Sequence, residues 1–169
     1  MGSGGWITFF VFSVLVLIGV IVGVSARKKG KQLQEEGKII KRTDSFWESE
    51  EYLTTVSSYA EIKSGIKRAD LTECRVTTEY DCNGKAMILF RCSQGWNGVL
   101  ALSGKTTDGK QNVFKLYFPA WRTLRYSIPA GATEMNMFRT AIEKVFLDND
   151  YDTTVQLRRM ELKTKTDFI

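Results

Sequence analysis

The side chains able to do chemistry fall into a few groups. Asp148, Asp150 and Asp152 alternate at the spacing of the first three ligands of a calcium loop. The position that needs glycine is Thr153, and the twelfth is Arg159 in place of a bidentate Glu. The sequence therefore assigns no metal there and predicts a plain acidic helix-to-strand connection. Cys74 and Cys92 sit where a strand pair would place them opposite each other, as core thiols or as a redox pair. Trp121, Arg122, Arg125 and Tyr126 combine cationic and aromatic groups. Alternation puts Trp121 and Arg125 on one face of a strand and Arg122 and Tyr126 on the other, so they form no single patch. Trp96, between Gly95 and Asn97-Gly98, reads as an exposed partner-contact residue on a loop; the alternative is that it folds back onto the sheet edge.

Exclusions are sharper than assignments. The chain contains no histidine, which removes Ser-His-Asp and Cys-His catalysis, HExxH zinc sites and histidine-ligated haem. It has no Walker-type loop, no GxGxxG after a strand and no kinase motif set. No catalytic residue, cofactor-binding residue or metal ligand is assigned, and no cofactor is expected.

The element that dominates the chain is its N-terminal stretch. Residues 1–26 carry no charged side chain, and residues 6–26 are almost wholly apolar. As a helix at about 1.5 Å per residue, that run would span roughly 31 Å, close to a bilayer core. Trp6 stands at the start as an interfacial aromatic would, and Arg27, Lys28, Lys29 and Lys31 form an abrupt basic flank. The positive-inside rule then predicts a single-pass membrane protein, N-terminus outside and C-terminal domain cytoplasmic. The rival is a cleaved signal peptide ending at Val24-Ser25-Ala26, which lacks a basic n-region and has its basic cluster after the cut. Gly19 and Gly23, one helical turn apart, suggest a helix–helix contact and a homodimer through the membrane helix.

The whole net charge of +5 sits between residues 27 and 42, where seven Lys and Arg face Glu35 and Glu36; from residue 43 onward the chain is formally neutral. A neutral domain has no general footprint for phosphates, so nucleic acid is not expected as a partner. Membrane lipids and an unidentified protein are. The odd cysteine count suits a reducing compartment better than a disulfide framework.

Three segments follow: an anchor over residues 1–26, a basic juxtamembrane linker over 27–43 with Gly30 and Gly37 as breaks, and an α+β domain over 44–169. In the domain, Asp44 or Ser45 caps a helix whose apolar residues run from Tyr52 to Ile62, ending near Gly65. Period-two alternation from Leu71 onward predicts two hairpins. The first turns at Cys82-Asn83-Gly84 and pairs Tyr80 with Ala86, Val76 with Phe90 and Cys74 with Cys92; the second turns at Thr107-Asp108-Gly109 and pairs Leu102 with Phe114 and Leu100 with Leu116. Pro119 breaks the fourth strand, and Leu124, Tyr126 and Ile128 suggest a fifth. Thr133 caps a helix with Met135, Phe138, Ile142, Val145 and Phe146 on its apolar stripe. A last strand from residue 153 carries a bulge near Arg158-Arg159. The expected fold is a mainly antiparallel sheet of four to six strands packed with two helices, behind a transmembrane helix.

This combination predicts an interaction or scaffolding module held at the bilayer. The alternatives are a membrane-tethered enzyme using carboxylate, cysteine or lysine chemistry, and an exported ligand-binding domain.

Overall fold

The computed structural model describes residues 4–39, 46, 48–55, 58–82, 85–123 and 129–159. The chain divides into two units, Met1–Lys41 and Arg42–Ile169.

The first unit is one helix, α1 (Gly4–Glu35). It outruns the apolar stretch. Where the sequence suggests a linker with a break at Gly30, the backbone continues helically past the basic flank to Glu35. Once the apolar run has formed a helix, each added residue needs only one more hydrogen bond to continue it. Gly37, with φ +65°, ends the spiral in the left-handed conformation, and the N–H groups of Lys38 and Ile39 donate back to the Leu33 carbonyl at 2.9 and 3.2 Å. Phe9, Phe10, Phe12, Leu15 and Leu17 are each 62% or more exposed. The hydroxyl of Ser13 donates to the Phe9 carbonyl at 2.9 Å, which satisfies it within the helix. Among the described residues no helix is long and apolar enough to cross a membrane.

The second unit is an α+β fold. Its elements are β1 (Glu48–Thr54), α2 (Tyr59–Arg68), β2 (Val76–Asp81), β3 (Met87–Cys92), β4 (Trp96–Lys105), β5 (Asn112–Trp121), α3 (Ala132–Asn149) and β6 (Thr154–Arg159). The six strands form one sheet in the order β2-β3-β4-β5-β1-β6, antiparallel at every junction. Ile62 and Ile66 of α2 and Met135, Phe138, Ile142 and Phe146 of α3 join one core with Tyr52, Phe90, Leu100, Phe114 and Phe118 of the sheet. Tyr52 stacks on Phe146 at 4.4 Å between ring centroids, and Phe138 meets Phe90 edge-on at 4.8 Å.

The largest departure from the sequence reading is at β1. Residues 48–54 form a strand, inserted between β5 and β6, and not the start of a helix. Its inward positions Glu50, Tyr52 and Thr54 are all fully buried, but only Tyr52 is apolar, so the period of two is hidden. Hydrogen bonding on both edges overrides a weak strand signal. The helix begins later, at a capping box in which the Glu61 N–H donates to the Ser58 hydroxyl and the Ser58 N–H to the Glu61 carboxylate. Gly65 does not end α2. It lies inside it, and a Cβ there would come within 2.7 Å of Val145 on α3.

All three pairings expected for the first hairpin need correcting, Cys74 with Cys92 among them, since Cys74 precedes β2 and Cys92 stands opposite Val76. Tyr80 stands opposite Leu89 and Val76 opposite Cys92, with a bulge between Val76 and Thr78. The turn is wider than expected: the Cys82 N–H donates to the Met87 carbonyl and the Lys85 N–H to the Cys82 carbonyl. The second hairpin has the expected pairs, Leu102 opposite Phe114 and Leu100 opposite Leu116, but its turn is one residue longer than expected: the Thr106 N–H donates to the Gln111 carbonyl at 2.8 Å, and a bulge between Leu102 and Gly104 takes up the extra residue.

Pro119 does not end β5. Toward β1, pairing stops at Leu116, and toward β4 the register skips a residue between Asn97 and Val99, so its missing N–H costs no ladder bond. Residues 124–128, the suggested fifth strand, lie outside the described residues. Gly131, with φ +73°, stands at the N-terminus of α3 in place of the expected Thr133 cap. The register of β6 against β1 is unbroken from Thr154 to Arg159, so no bulge occurs at Arg158-Arg159.

Candidate functional site

The most concentrated polar group in the domain is buried. Glu50 on β1 and Arg139 on α3 are 0% and 1% exposed at the side chain, with Arg139 Nε 3.5 Å from Glu50 Oε1. The Tyr52 hydroxyl donates to Glu50 Oε2 at 2.6 Å, and an Arg139 terminal nitrogen donates to the Glu48 carbonyl at 3.2 Å. The guanidinium lies 5.4 Å from the ring centroid of Phe46 and 5.2 Å from that of Phe118. Each partner is held by its element's geometry. Alternation turns Glu50 to the same side as Tyr52, and Arg139 occupies the helical stripe of Met135 and Ile142. A charge deep in protein is tolerable only when paired and hydrogen-bonded. This constellation escaped the sequence reading. The signal available was Arg139 itself, a charged residue inside an apolar stripe, which demands a buried acid elsewhere. With neither charge exposed, the pair offers nothing to a substrate; it joins strand to helix.

The thiols come together as expected, by a different register. Cys74 lies in the turn before β2, and the Cys92 thiol donates to its carbonyl at 3.5 Å. Both are free and buried. Burial pushes the Cys74 thiol up to about 12, with the neighbouring Cys92 adding to the rise. Burial also raises Cys92, partly offset by the Gln94 N–H 3.3 Å from its sulfur. Protonated, enclosed thiols are poor nucleophiles at neutral pH. Arg75, next to Cys74, adopts φ +56° and reaches Glu134 at 3.8 Å.

Trp96 is not on a loop tip. It is the first residue of β4 and is fully buried, edge-on to Phe118 at 5.4 Å and tilted against Phe138 at 5.2 Å. Trp96 is withdrawn as an exposed contact residue, and it does not fold back onto a sheet edge either: it is part of β4, an interior strand of the sheet. Gly98 makes room for this ring cluster, since a Cβ there would meet Phe138 at 3.3 Å and Trp96 at 3.4 Å. Trp121 packs against the core and Arg122 is exposed, while Arg125 and Tyr126 lie outside the described residues.

Asp150 is a structural tie. One carboxylate oxygen accepts from the Thr54 hydroxyl at 2.7 Å, the Thr55 N–H at 2.6 Å and the Thr55 hydroxyl at 2.8 Å. The other accepts from the Asp152 N–H at 3.1 Å. The Thr54 bond, followed by that of the Thr55 N–H, holds its carboxyl below the usual Asp value. These donors answer how an acid tolerates the C-terminal end of α3. Arg158 turns instead to Glu51, at 2.7 Å. Among the described residues no group of three His, Cys, Asp or Glu side chains is arranged to hold a metal ion.

In the first unit, Lys28 and Lys31 are exposed on α1; the side chains of Arg27 and Lys29 lie outside the described residues. A Cβ at Gly19 would meet nothing within 4 Å; the surroundings of Gly23 are outside the description. No protein-family model, curated protein or solved structure matches this chain.

Proposed function

We propose that this chain is a single-pass membrane protein whose α+β domain is a cytoplasmic interaction or scaffolding module. The observation that carries the anchor is α1: an unbroken backbone helix, Gly4–Glu35, through the whole apolar run of residues 6–26. Its described apolar side chains are exposed all around, and a helix apolar on every face requires an apolar environment. A basic flank follows directly, which orients the span with its C-terminal side in the cytoplasm. Support for a binding role in preference to catalysis comes from the domain. Its buried acid and base neutralise each other, and Cys74 and Cys92 are held protonated.

Two measurements test this. Alkaline carbonate extraction of the full chain from membranes should leave it in the pellet, and release into the supernatant would sink the anchor. A Lys110→Cys variant, its new thiol on the exposed turn of the second hairpin, should react with an impermeant maleimide only after lysis. Labelling in intact cells would reverse the topology and favour the exported-domain alternative. For the module, site-specific photo-crosslinking from the domain surface in cells should give a discrete adduct with another protein; its absence from every surface position would remove the scaffolding role.

A further inference from the structure

We infer that the C-terminal end of α1 is a binding stem for acidic phospholipid headgroups, an inference that rests on the anchor proposed above. Its new element is helical continuity. A flexible linker would leave the depth of its charges undefined, whereas α1 runs to Glu35 and fixes them. At about 1.5 Å per residue, positions 27–31 lie roughly 2–8 Å beyond the last apolar residue, Ala26, which is the depth of the headgroup layer. At about 100° per residue, positions 27, 28 and 31 fall within an arc of roughly 100°, with position 29 on the opposite side.

The acids at the end of this helix and in the turn after it are placed elsewhere. Glu36 is engaged by Lys38 at 3.3 Å and by the Gln32 amide at 2.8 Å. Glu35 lies on the basic arc, one turn beyond Lys31, at roughly 14 Å from Ala26 and therefore outside the headgroup layer. Among the described residues neither Lys28 nor Lys31 has an ion-pair partner, and both are exposed. Cations at headgroup depth, with their counter-charges spent or further out, complement a phosphate or carboxylate surface in the bilayer.

The test uses the full chain reconstituted in phosphatidylcholine vesicles, with boundary lipid measured by electron paramagnetic resonance of spin-labelled phosphatidylserine and, separately, spin-labelled phosphatidylcholine. The serine lipid should be preferred, with a ceiling of about fivefold per engaged basic residue. Lys28→Gln with Lys31→Gln should remove most of the preference, high salt should weaken it, and Glu35→Gln should leave it within a factor of about two. Equal boundary components for both lipids would overturn the inference while leaving the anchor intact. No boundary component for either would overturn the anchor and this inference together.

Discussion

Removing one member of the buried Glu50–Arg139 pair should be the most damaging single change in the domain. Arg139→Met keeps much of the stem volume but strips the fully buried carboxylate of its cation, while the Tyr52 hydroxyl still donates to it. Breaking a buried ion pair from one side costs about 3–5 kcal/mol. The lost guanidinium contacts with Phe46 and Phe118 add about 0.5–1 kcal/mol each if they behave as typical cation–π pairs. Against a total stability of about 5–15 kcal/mol for a domain, that removes a large share. Glu50→Met should cost a similar amount by stranding the guanidinium. The double variant should recover most of the loss, because two apolar side chains in that space leave no uncompensated charge. The assay is urea denaturation of the full chain in detergent micelles, followed by tryptophan fluorescence, since Trp96 is at the centre of the core. A coupling energy of about 2 kcal/mol or more between the two positions is expected. If Arg139→Met cost less than about 1 kcal/mol, or if the two losses simply added, the pair would not be the junction described here.

Three other perturbations test separate features. Asp150→Ala removes the shared acceptor of Thr54 and Thr55 and should cost about 1–3 kcal/mol in the same assay. Because its folded pKa is lowered from 3.8, the stability it adds is present above the ordinary Asp value and lost as pH falls through the folded value, so acid melts of the wild type should converge on those of the variant. Cys74 and Cys92 should resist a thiol reagent at neutral pH while the half-buried Cys82 reacts first, and all three should react in urea; rapid native labelling of Cys74 would contradict its enclosure. Since the folded Cys74 thiol is raised from 9.0 to about 12, its linked stability is intact below 9.0 and declines as pH rises through that interval. Gly65→Ala would drive a methyl to within 2.7 Å of Val145 and should cost about 1–3 kcal/mol. Val145→Ala in the same chain should return part of it, and no rescue would mean the cost is not steric.

Elements with a local signal were legible without coordinates. The stripe of α3 names its own buried residues, Met135, Phe138, Ile142, Val145 and Phe146, all of which the structure buries. The second hairpin keeps the pairs that its apolar alternation predicts, but its turn is one residue wider than expected, and a bulge between Leu102 and Gly104 restores the register beyond it. The first hairpin also has a wider turn, and its bulge at residue 77 does not bring the strands back to the expected register. Nothing in a single strand records how a partner counts around a turn. Trp96 failed for a related reason: glycines on either side suggest a loop, whereas Gly98 is there so that Trp96 and Phe138 can approach the strand.

By itself, then, the sequence determined the apolar N-terminal helix, the concentration of charge beside it, the absence of histidine chemistry and an α+β domain with an antiparallel sheet. These depend on composition and on periodicities within about 20 residues. Tertiary structure decided that residues 48–54 are a strand, that Glu50 meets Arg139 and that Asp150 caps the end of β1. Each joins residues about 60 or more positions apart in the chain. A buried charge is stable only beside its partner, and a strand with polar inward residues is stable only between two others, so neither can be read before the chain has closed on itself.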